Sequence, residues 1–282
     1  MLEKHYFILN YAKIHKAEVT MKILLYILLG ALGVVLGVIA LIILYFLFIF
    51  INSLFINTKR EYNTNSKYFR FLLNTSTWIA IKILRIKLDV NGMEKVPEGT
   101  QMLLVCNHRS NFDPIIKWYV FRKNTPAFIS KEENFNVPFY GRIIRKCCFM
   151  AIDRENPRNA MKTIDRASKL IQAKEVSIAV YPEGTRSKEA VLLPFHSGVF
   201  KIAQKADVPV VVTSIQGTEK IHKNFPLHST KVTINVLDVF SAESIKGQKT
   251  ADVSEKARNI IGMDLGDIKE LPENKEEATT VS

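Results

Sequence analysis

The feature that most constrains this chain is an apolar run over residues 23–55. These 33 residues carry no charged side chain, and the two that can ionise are Tyr26 and Tyr45. About 20 apolar residues cross a hydrocarbon core of about 30 Å, and a helix of this length would extend about 50 Å. The run is about twice as long as the apolar part of a signal peptide, and no small-residue cleavage pattern follows it. The sequence therefore predicts a membrane anchor over residues 23–56, after a leader of residues 1–22.

Two arrangements of this anchor are open. One is a single tilted span, and the other is a kinked or re-entrant pair of shorter helices broken near Gly30, Gly33 and Gly37. Basic residues flank the run on both sides, so the positive-inside rule does not set its orientation.

Residues 57–86 form the next predicted region. Within it a helical pattern separates a broad apolar face from a basic polar face, the latter made of Lys67, Arg70, Asn74, Thr77, Lys82 and Arg85. An amphipathic helix of this composition is typical of a segment lying in the membrane interface. An ordinary helix packed on the following domain is the alternative, and the position directly after an anchor favours the interface.

Residues 87–266 read as one globular domain, which suits a chain of 282 residues. Strand-like runs begin at Ile86 and recur at residues 102–106, 127–129, 147–152, 177–181, 208–215 and 232–236, with helical stretches at 158–173 and 199–206. Strands alternating with helices predict an α/β fold with a mixed, largely parallel sheet flanked by helices. Residues 267–282 are acidic, lack apolar periodicity and are predicted to be a disordered tail.

Composition narrows the choice of partners and chemistry. The formal net charge of +12 suits a nucleic acid, an anionic bilayer or a phosphorylated substrate. The three cysteines, Cys106, Cys147 and Cys148, are too few for a disulfide scaffold and form no zinc-type pair. Their strand-like setting predicts small core residues rather than a thiol nucleophile.

A first motif, NHRSNFD at residues 107–113, directly follows the strand-like run 102–106. His108 and Asp113 would point about 140° apart on one helix, so they meet only if the chain turns between them. Ser110 and Asn111 are turn formers, and Asp113 followed by Pro114 is typical of a helix N-cap. If the turn folds back, the Asp113 carboxylate orients the imidazole and His108 becomes a general base. A plain helix cap is the alternative for Asp113.

A second motif, EGTRS at residues 183–187, follows the run 177–181. Gly184 permits a close approach or a positive φ, and Arg186 offers a planar fork for a phosphate, with Thr185 adding a hydroxyl. Taken alone, the segment also fits an ordinary surface turn. Arg154 stands at another strand end, and we expect it in a site, whereas its basic neighbours fit a solvated face.

Together these blocks resemble the 1-acylglycerol-3-phosphate acyltransferases, the lysophosphatidic acid acyltransferase family of the glycerolipid acyltransferase superfamily. The likeness spans about residues 88–236 in four ordered blocks: NHRSNFD, residues 149–154 ending in Ile152-Asp153-Arg154, EGTRS, and residues 208–212. Lys131 stands where the family often has a lysine. Two departures are Cys148, where the second block often begins with glycine, and Val212, where the fourth block often has a second proline.

The resemblance implies a membrane enzyme of phospholipid biosynthesis that makes phosphatidic acid. His108 and Asp113 would be catalytic, and Arg154, Glu183, Gly184, Thr185, Arg186 and Lys131 would bind the substrate. The acyl donor would be acyl-CoA or acyl carrier protein, acting as co-substrate without metal or other cofactor. The bilayer would supply lysophosphatidic acid, the domain would face the cytoplasm, and no nucleic acid would be bound. Glycerol 3-phosphate or another lysophospholipid is the alternative acceptor, and a basic membrane-tethered binding protein is the alternative class.

Overall fold

The computed structural model describes residues 2–138, 140–187 and 191–268. They divide into two compact units, the first ending at Asn52 and the second beginning at Ser53. Each unit is described by itself.

The first unit is the greater part of one helix, α1 (Leu2–Leu54). Its stretch His15–Leu54 is 40 residues long with a mean hydropathy of 3.3, so by length and composition it is able to cross a membrane. The helix runs unbroken through Gly30, Gly33 and Gly37, and much of the predicted leader is helical as well. The structure therefore has the single helix and not the re-entrant pair.

The second unit contains a seven-stranded sheet and the remaining helices of the described chain. The strands are β1 (Ile86–Asn91), β2 (Leu103–Cys106), β3 (Pro126–Ser130), β4 (Met150–Ala151), β5 (Ser177–Val180), β6 (Val210–Gln216) and β7 (Thr230–Phe240). The helices are α2 (Lys67–Ile83), α3 (Asp113–Val120), α4 (Tyr140–Lys146), α5 (Pro157–Gln172), α6 (Lys201–Ala206), α7 (Ile221–Asn224), α8 (Ala242–Ile245) and α9 (Thr250–Leu265).

The sheet has the order β1-β7-β6-β2-β5-β3-β4. All neighbouring strands pair in parallel except β6 and β7, which are antiparallel. The expected mixed, largely parallel sheet is confirmed. The central strands β2, β5 and β6 are almost wholly buried, because helices cover both faces of such a sheet and its strands are therefore continuously apolar.

The predicted strand over residues 147–152 is shorter than expected. Only Met150–Ala151 form β4, while Cys147 and Cys148 lie in the turn after α4. Cys148 has φ +63°, a left-handed conformation that glycine adopts more readily than cysteine. Burial raises the pKa of Cys147 to about 12 and that of Cys148 to about 11, which keeps both thiols protonated at neutral pH.

The predicted polar face of α2 is only partly exposed, with Lys67 and Lys82 at the surface as expected. Arg70 and Thr77 are buried, and the Arg70 guanidinium donates to the carbonyls of Pro126 at 3.0 Å and Cys147 at 3.3 Å. These carbonyls at element ends need donors, and an arginine fork supplies them. Phe71 and Trp78 instead remain exposed. One face of α2 is thus packed on the domain and the other presents aromatic side chains, whose contact with a bilayer stays a prediction.

The folded unit extends two residues into the predicted tail, which was expected to begin at Asp267. Asp267 accepts a hydrogen bond from the Leu192 backbone N–H at 2.8 Å, and it lies 3.6 Å from the Arg109 guanidinium. The two residues after the α9 cap therefore belong to the folded unit. The rest of the predicted tail, residues 269–282, lies outside the described residues.

Candidate active site

The candidate residues gather at one edge of the sheet because β2, β3, β4, β5 and β6 all run in the same direction. Open α/β sheets bind their ligands outside these carboxyl ends. Side chains follow five strands within three residues of the strand end: His108 after β2, Lys131 after β3, Arg154 after β4, Glu183 after β5 and Thr218 after β6.

The chain folds back between His108 and Asp113, as the sequence predicted. The distance from His108 Nδ1 to Asp113 Oδ2 is 2.8 Å. The His108 side chain is 18% exposed, and its Nε2 has no hydrogen-bond partner among the described residues. The second ring nitrogen is therefore available to a ligand at the open edge of the sheet.

Asp113 is held more firmly than a helix cap requires. It is the first residue of α3 rather than the residue before it, and its side chain is fully buried. Oδ2 accepts from the backbone N–H groups of Arg109 and Ser110, both at 2.7 Å, and Oδ1 accepts from the Thr218 hydroxyl. With the His108 ring, four donors converge on one carboxylate. This fixes the imidazole that it contacts.

Glu183 connects the two motifs. Its Oε1 accepts from the His108 backbone N–H at 2.5 Å, and its Oε2 accepts from Leu193 N–H at 3.0 Å. The residue is 4% exposed, and burial raises the pKa of its carboxyl group. Because a backbone donor contacts each of its oxygens, Glu183 holds the motif turns together. That it also binds the substrate stays a prediction.

Gly184 lies in the second motif, close to the side chains of His196 and Arg154. Its φ is +71°, and a Cβ there would be 2.9 Å from His196 Cδ2 and 3.9 Å from Arg154 Nη1. The glycine thus permits both a left-handed turn and a close approach, as its sequence position suggested. His196 was missed by the sequence analysis, because it lies in an irregular stretch outside the strand-end motifs.

The remaining predicted binding residues are open to solvent. Thr185 and Arg186 are exposed at the tip of the second motif. Lys131 and Arg154 line one polar cleft of about 690 Å³. Arg154 also borders an apolar cavity of about 190 Å³, which is lined largely by aliphatic side chains together with Gly184 and His196: Ile129, Ile152, Ile164, Val180 and Val199. Arg154 therefore contributes to the lining of both the polar cleft and the apolar cavity.

Tyr181 is a second residue that the sequence did not single out. Its ring stacks on the His108 ring with centroids 4.3 Å apart and an interplanar angle of 18°. The same side chain borders the apolar cavity. It thus contacts both the histidine and the cavity, and the stacking limits how the imidazole can rotate.

These features define a class: an α/β fold with an aspartate-oriented histidine at its strand ends, near a charged cleft and an apolar cavity that both include Arg154. Residues 87–216 match the family model described as Acyltransferase. This part of the chain is therefore similar to that acyltransferase family.

Individual relatives agree with this similarity. The chain is 34% identical to the chloroplastic 1-acyl-sn-glycerol-3-phosphate acyltransferase BAT2 of Brassica napus, over 65% of this chain and 53% of that protein. It is 27% identical to the 1-acyl-sn-glycerol-3-phosphate acyltransferase of Escherichia coli (strain K12), over 61% and 71%. The chain therefore spans about half the length of the plant relative.

A solved structure shows the same fold. The 1-acyl-sn-glycerophosphate (LPA) acyltransferase of Thermotoga maritima superposes with a TM-score of 0.61 at 22% sequence identity. The match covers 81% of this chain and 90% of that one. The predicted fold class is confirmed.

Proposed function

We propose that this protein transfers an acyl group from a thioester donor to the 2-hydroxyl of 1-acylglycerol 3-phosphate, forming phosphatidic acid. The observation that carries the proposal is the 2.8 Å contact between His108 Nδ1 and Asp113 Oδ2, which leaves Nε2 without a hydrogen-bond partner among the described residues. The names of the relatives supply the substrate class.

The chemistry needs one general base. His108 Nε2 removes the proton of the acceptor hydroxyl as its oxygen attacks the thioester carbonyl, and Asp113 stabilises the imidazolium that forms. The tetrahedral intermediate then collapses, the C–S bond breaks, and the imidazolium returns the proton to the leaving thiolate. The products are an ester and a free thiol, and the substrate hydroxyl takes the place that a protein nucleophile has in hydrolases.

Phosphate recognition falls to basic groups around the second motif. Arg154 and Arg186 hold the glycerol phosphate, with Lys131 in the adjoining cleft and the Thr185 hydroxyl as a further donor. Glu183 and Gly184 act by shaping the turn that carries Arg186. The net charge of +12 favours the approach of an anionic lipid and of an anionic surface.

The apolar cavity beside Arg154 suits an acyl chain. Its walls are mainly branched aliphatic side chains, and Arg154 and His196 supply polar groups to its lining. A chain with a charged head fits this division, because the head stays among the basic groups while the tail leaves water.

The lipid acceptor and the lipid product place the reaction at a bilayer. The apolar helix α1 is suited to anchor the domain there, and the exposed aromatic face of α2 to lie in the interface. Acyl-CoA and acyl carrier protein are soluble and cytoplasmic, so the catalytic domain faces the cytoplasm.

The test is an assay of the purified full chain in detergent micelles or nanodiscs. It is incubated with 1-acylglycerol 3-phosphate and, in separate arms, with acyl-CoA or acyl carrier protein thioester. Parallel arms replace the acceptor with glycerol 3-phosphate or another lysophospholipid. We expect thioester-dependent phosphatidic acid in the first acceptor arm. Product only with another acceptor, or with none, contradicts the proposal.

A further inference from the structure

A buried lysine lies directly behind the histidine–aspartate pair. Lys117 is on α3, one turn after Asp113, and is 1% exposed. Its Nζ has no hydrogen-bond partner among the described residues. Long basic side chains usually bury their methylenes and keep the charge in water, but here the ammonium itself is enclosed. Because an unpartnered buried charge is costly, its presence at this place needs a functional explanation.

The surroundings of Lys117 connect it to the site. Its Nζ is 5.5 Å from the centroid of the Tyr181 ring, and that ring stacks on His108. The titratable groups that face it come from three elements: Asp113 on α3, Cys106 at the end of β2, and Tyr181 after β5. The Tyr181 hydroxyl is also buried without a hydrogen-bond partner in the described chain.

Helix α2, which packs against α3, carries no acidic residue that could face Lys117. The α2 residues that meet α3 are Arg70, whose guanidinium lies 4.5 Å from the centroid of the Trp118 ring, and Asn74, which accepts from Trp118 Nε1 at 2.6 Å. Asp113 is therefore the carboxylate that balances Lys117.

We propose that Lys117 is a positioning residue whose ammonium group neutralises the Asp113 carboxylate and thereby keeps His108 unprotonated and ready to act as a base. The inference rests on the proposed function. Without this cation, the buried carboxylate would attract a proton to the imidazole from solvent, and fewer molecules would carry a free base at a given pH.

The size of the effect follows from the separation of the charges. Lys117 Nζ lies 5.5 Å from the Tyr181 ring centroid, and the His108 ring centroid lies 4.3 Å from the same point. The ammonium and the imidazole are therefore at most about 10 Å apart. Two unit charges at about 10 Å, with an effective dielectric constant of about 20, change a protonation equilibrium by about 1 pH unit. Removing the cation makes the imidazolium easier to form, so the acid limb of the pH–rate profile moves to higher pH.

The lysine is also expected to oppose folding. Burial lowers the pKa of Lys117 to about 8. The folded state therefore pays for the enclosed charge at all pH values below about 8, and this cost declines between about pH 8 and the ordinary lysine value of 10.5. Replacing the lysine with methionine, which has a similar length and no charge, is expected to raise the melting temperature at pH 7 and to raise it less at pH 10.

The test compares the full chain with Lys117→Met in the same nanodiscs, by initial rates of phosphatidic acid formation from pH 5 to 9 and by thermal melting. The matched control is Lys169→Met, which removes an exposed lysine on α5. We expect the midpoint of the acid limb to rise by about 1 pH unit in Lys117→Met and to stay in place in the control.

Each result decides between the two proposals. An inactive wild-type chain contradicts the proposed function. An active wild type whose acid limb does not move in a folded Lys117→Met contradicts the role of Lys117 alone. Failure of Lys117→Met to fold, or loss of its activity at every pH, also overturns this role, because a charge-setting residue is neither required for the fold nor part of the reaction.

Discussion

The turns after β2 and β5 lie side by side but are built differently. In the first turn, Asn107 is locked by hydrogen bonds to the backbone of Ile215 at 2.8 and 2.9 Å, and Asp113 accepts four hydrogen bonds. In the second turn, Thr185 and Arg186 extend into solvent. The groups proposed to do chemistry are thus fixed by hydrogen bonds within the fold, whereas Thr185 and Arg186, proposed to bind phosphate, are exposed to solvent.

Backbone contacts nevertheless connect the two turns. The Glu183 carboxylate accepts from His108 N–H, and Ser187 N–H donates to His108 C=O at 2.9 Å. The second turn is therefore placed relative to the first by its first and last residues, Glu183 and Ser187. This arrangement predicts that changes in the first turn lower the rate constant and that changes in the second mainly weaken substrate binding.

The largest effect is expected from Asp113→Asn. An amide cannot stabilise the imidazolium, and its NH₂ group would meet donors where the carboxylate accepted them. We expect kcat to fall by about 10³- to 10⁴-fold with little change in the acceptor KM. Steady-state kinetics on matched amounts of folded protein provide the measurement. A variant that retained most of its kcat would show that the carboxylate is only structural.

A smaller effect is expected from Arg154→Ala and Arg186→Ala. Removing one charge-assisted partner of a phosphate weakens binding by about 10- to 1000-fold, so the acceptor KM should rise while kcat changes less. Arg158→Ala, an exposed arginine in the first turn of α5, is the matched control. If both variants kept the acceptor KM of the control, these arginines would not be the phosphate site.

The smallest effect is expected from Gly184→Ala. The left-handed backbone costs a side chain about 1–2 kcal/mol, and the new methyl group would meet the His196 ring at 2.9 Å. We expect a roughly tenfold rise in the acceptor KM. The double change Gly184→Ala/His196→Ala removes the collision and should recover part of the loss. No recovery would mean that the backbone conformation alone accounts for the effect.

The sequence was most informative where local signals sufficed. Strand-end motifs can be placed together from the sequence because parallel strands share one carboxyl edge, and this located His108, Arg154 and the second motif. The turn formers between His108 and Asp113 predicted the reversal that joins them.

Structural features that depend on contacts between residues far apart in the sequence were missed. Part of the polar face of α2 was misassigned because Arg70 finds its acceptors in Pro126 and Cys147, 56 and 77 residues away. Hydropathy treats an arginine as solvent-facing, whereas buried carbonyls can draw it inward. The burial of Lys117 and the stacking of Tyr181 on His108 arise from the same kind of tertiary contact, which no local pattern encodes.

The most direct test of the account is whether His108 and Asp113 act as one unit. Initial rates of thioester-dependent phosphatidic acid formation would be measured for His108→Ala, Asp113→Asn and the double variant, with protein levels matched. We expect His108→Ala to lose about 10²- to 10⁴-fold in rate, and the double variant to be no slower than the more impaired single variant. Near-normal turnover by His108→Ala, or losses that multiply in the double variant, would contradict the mechanism.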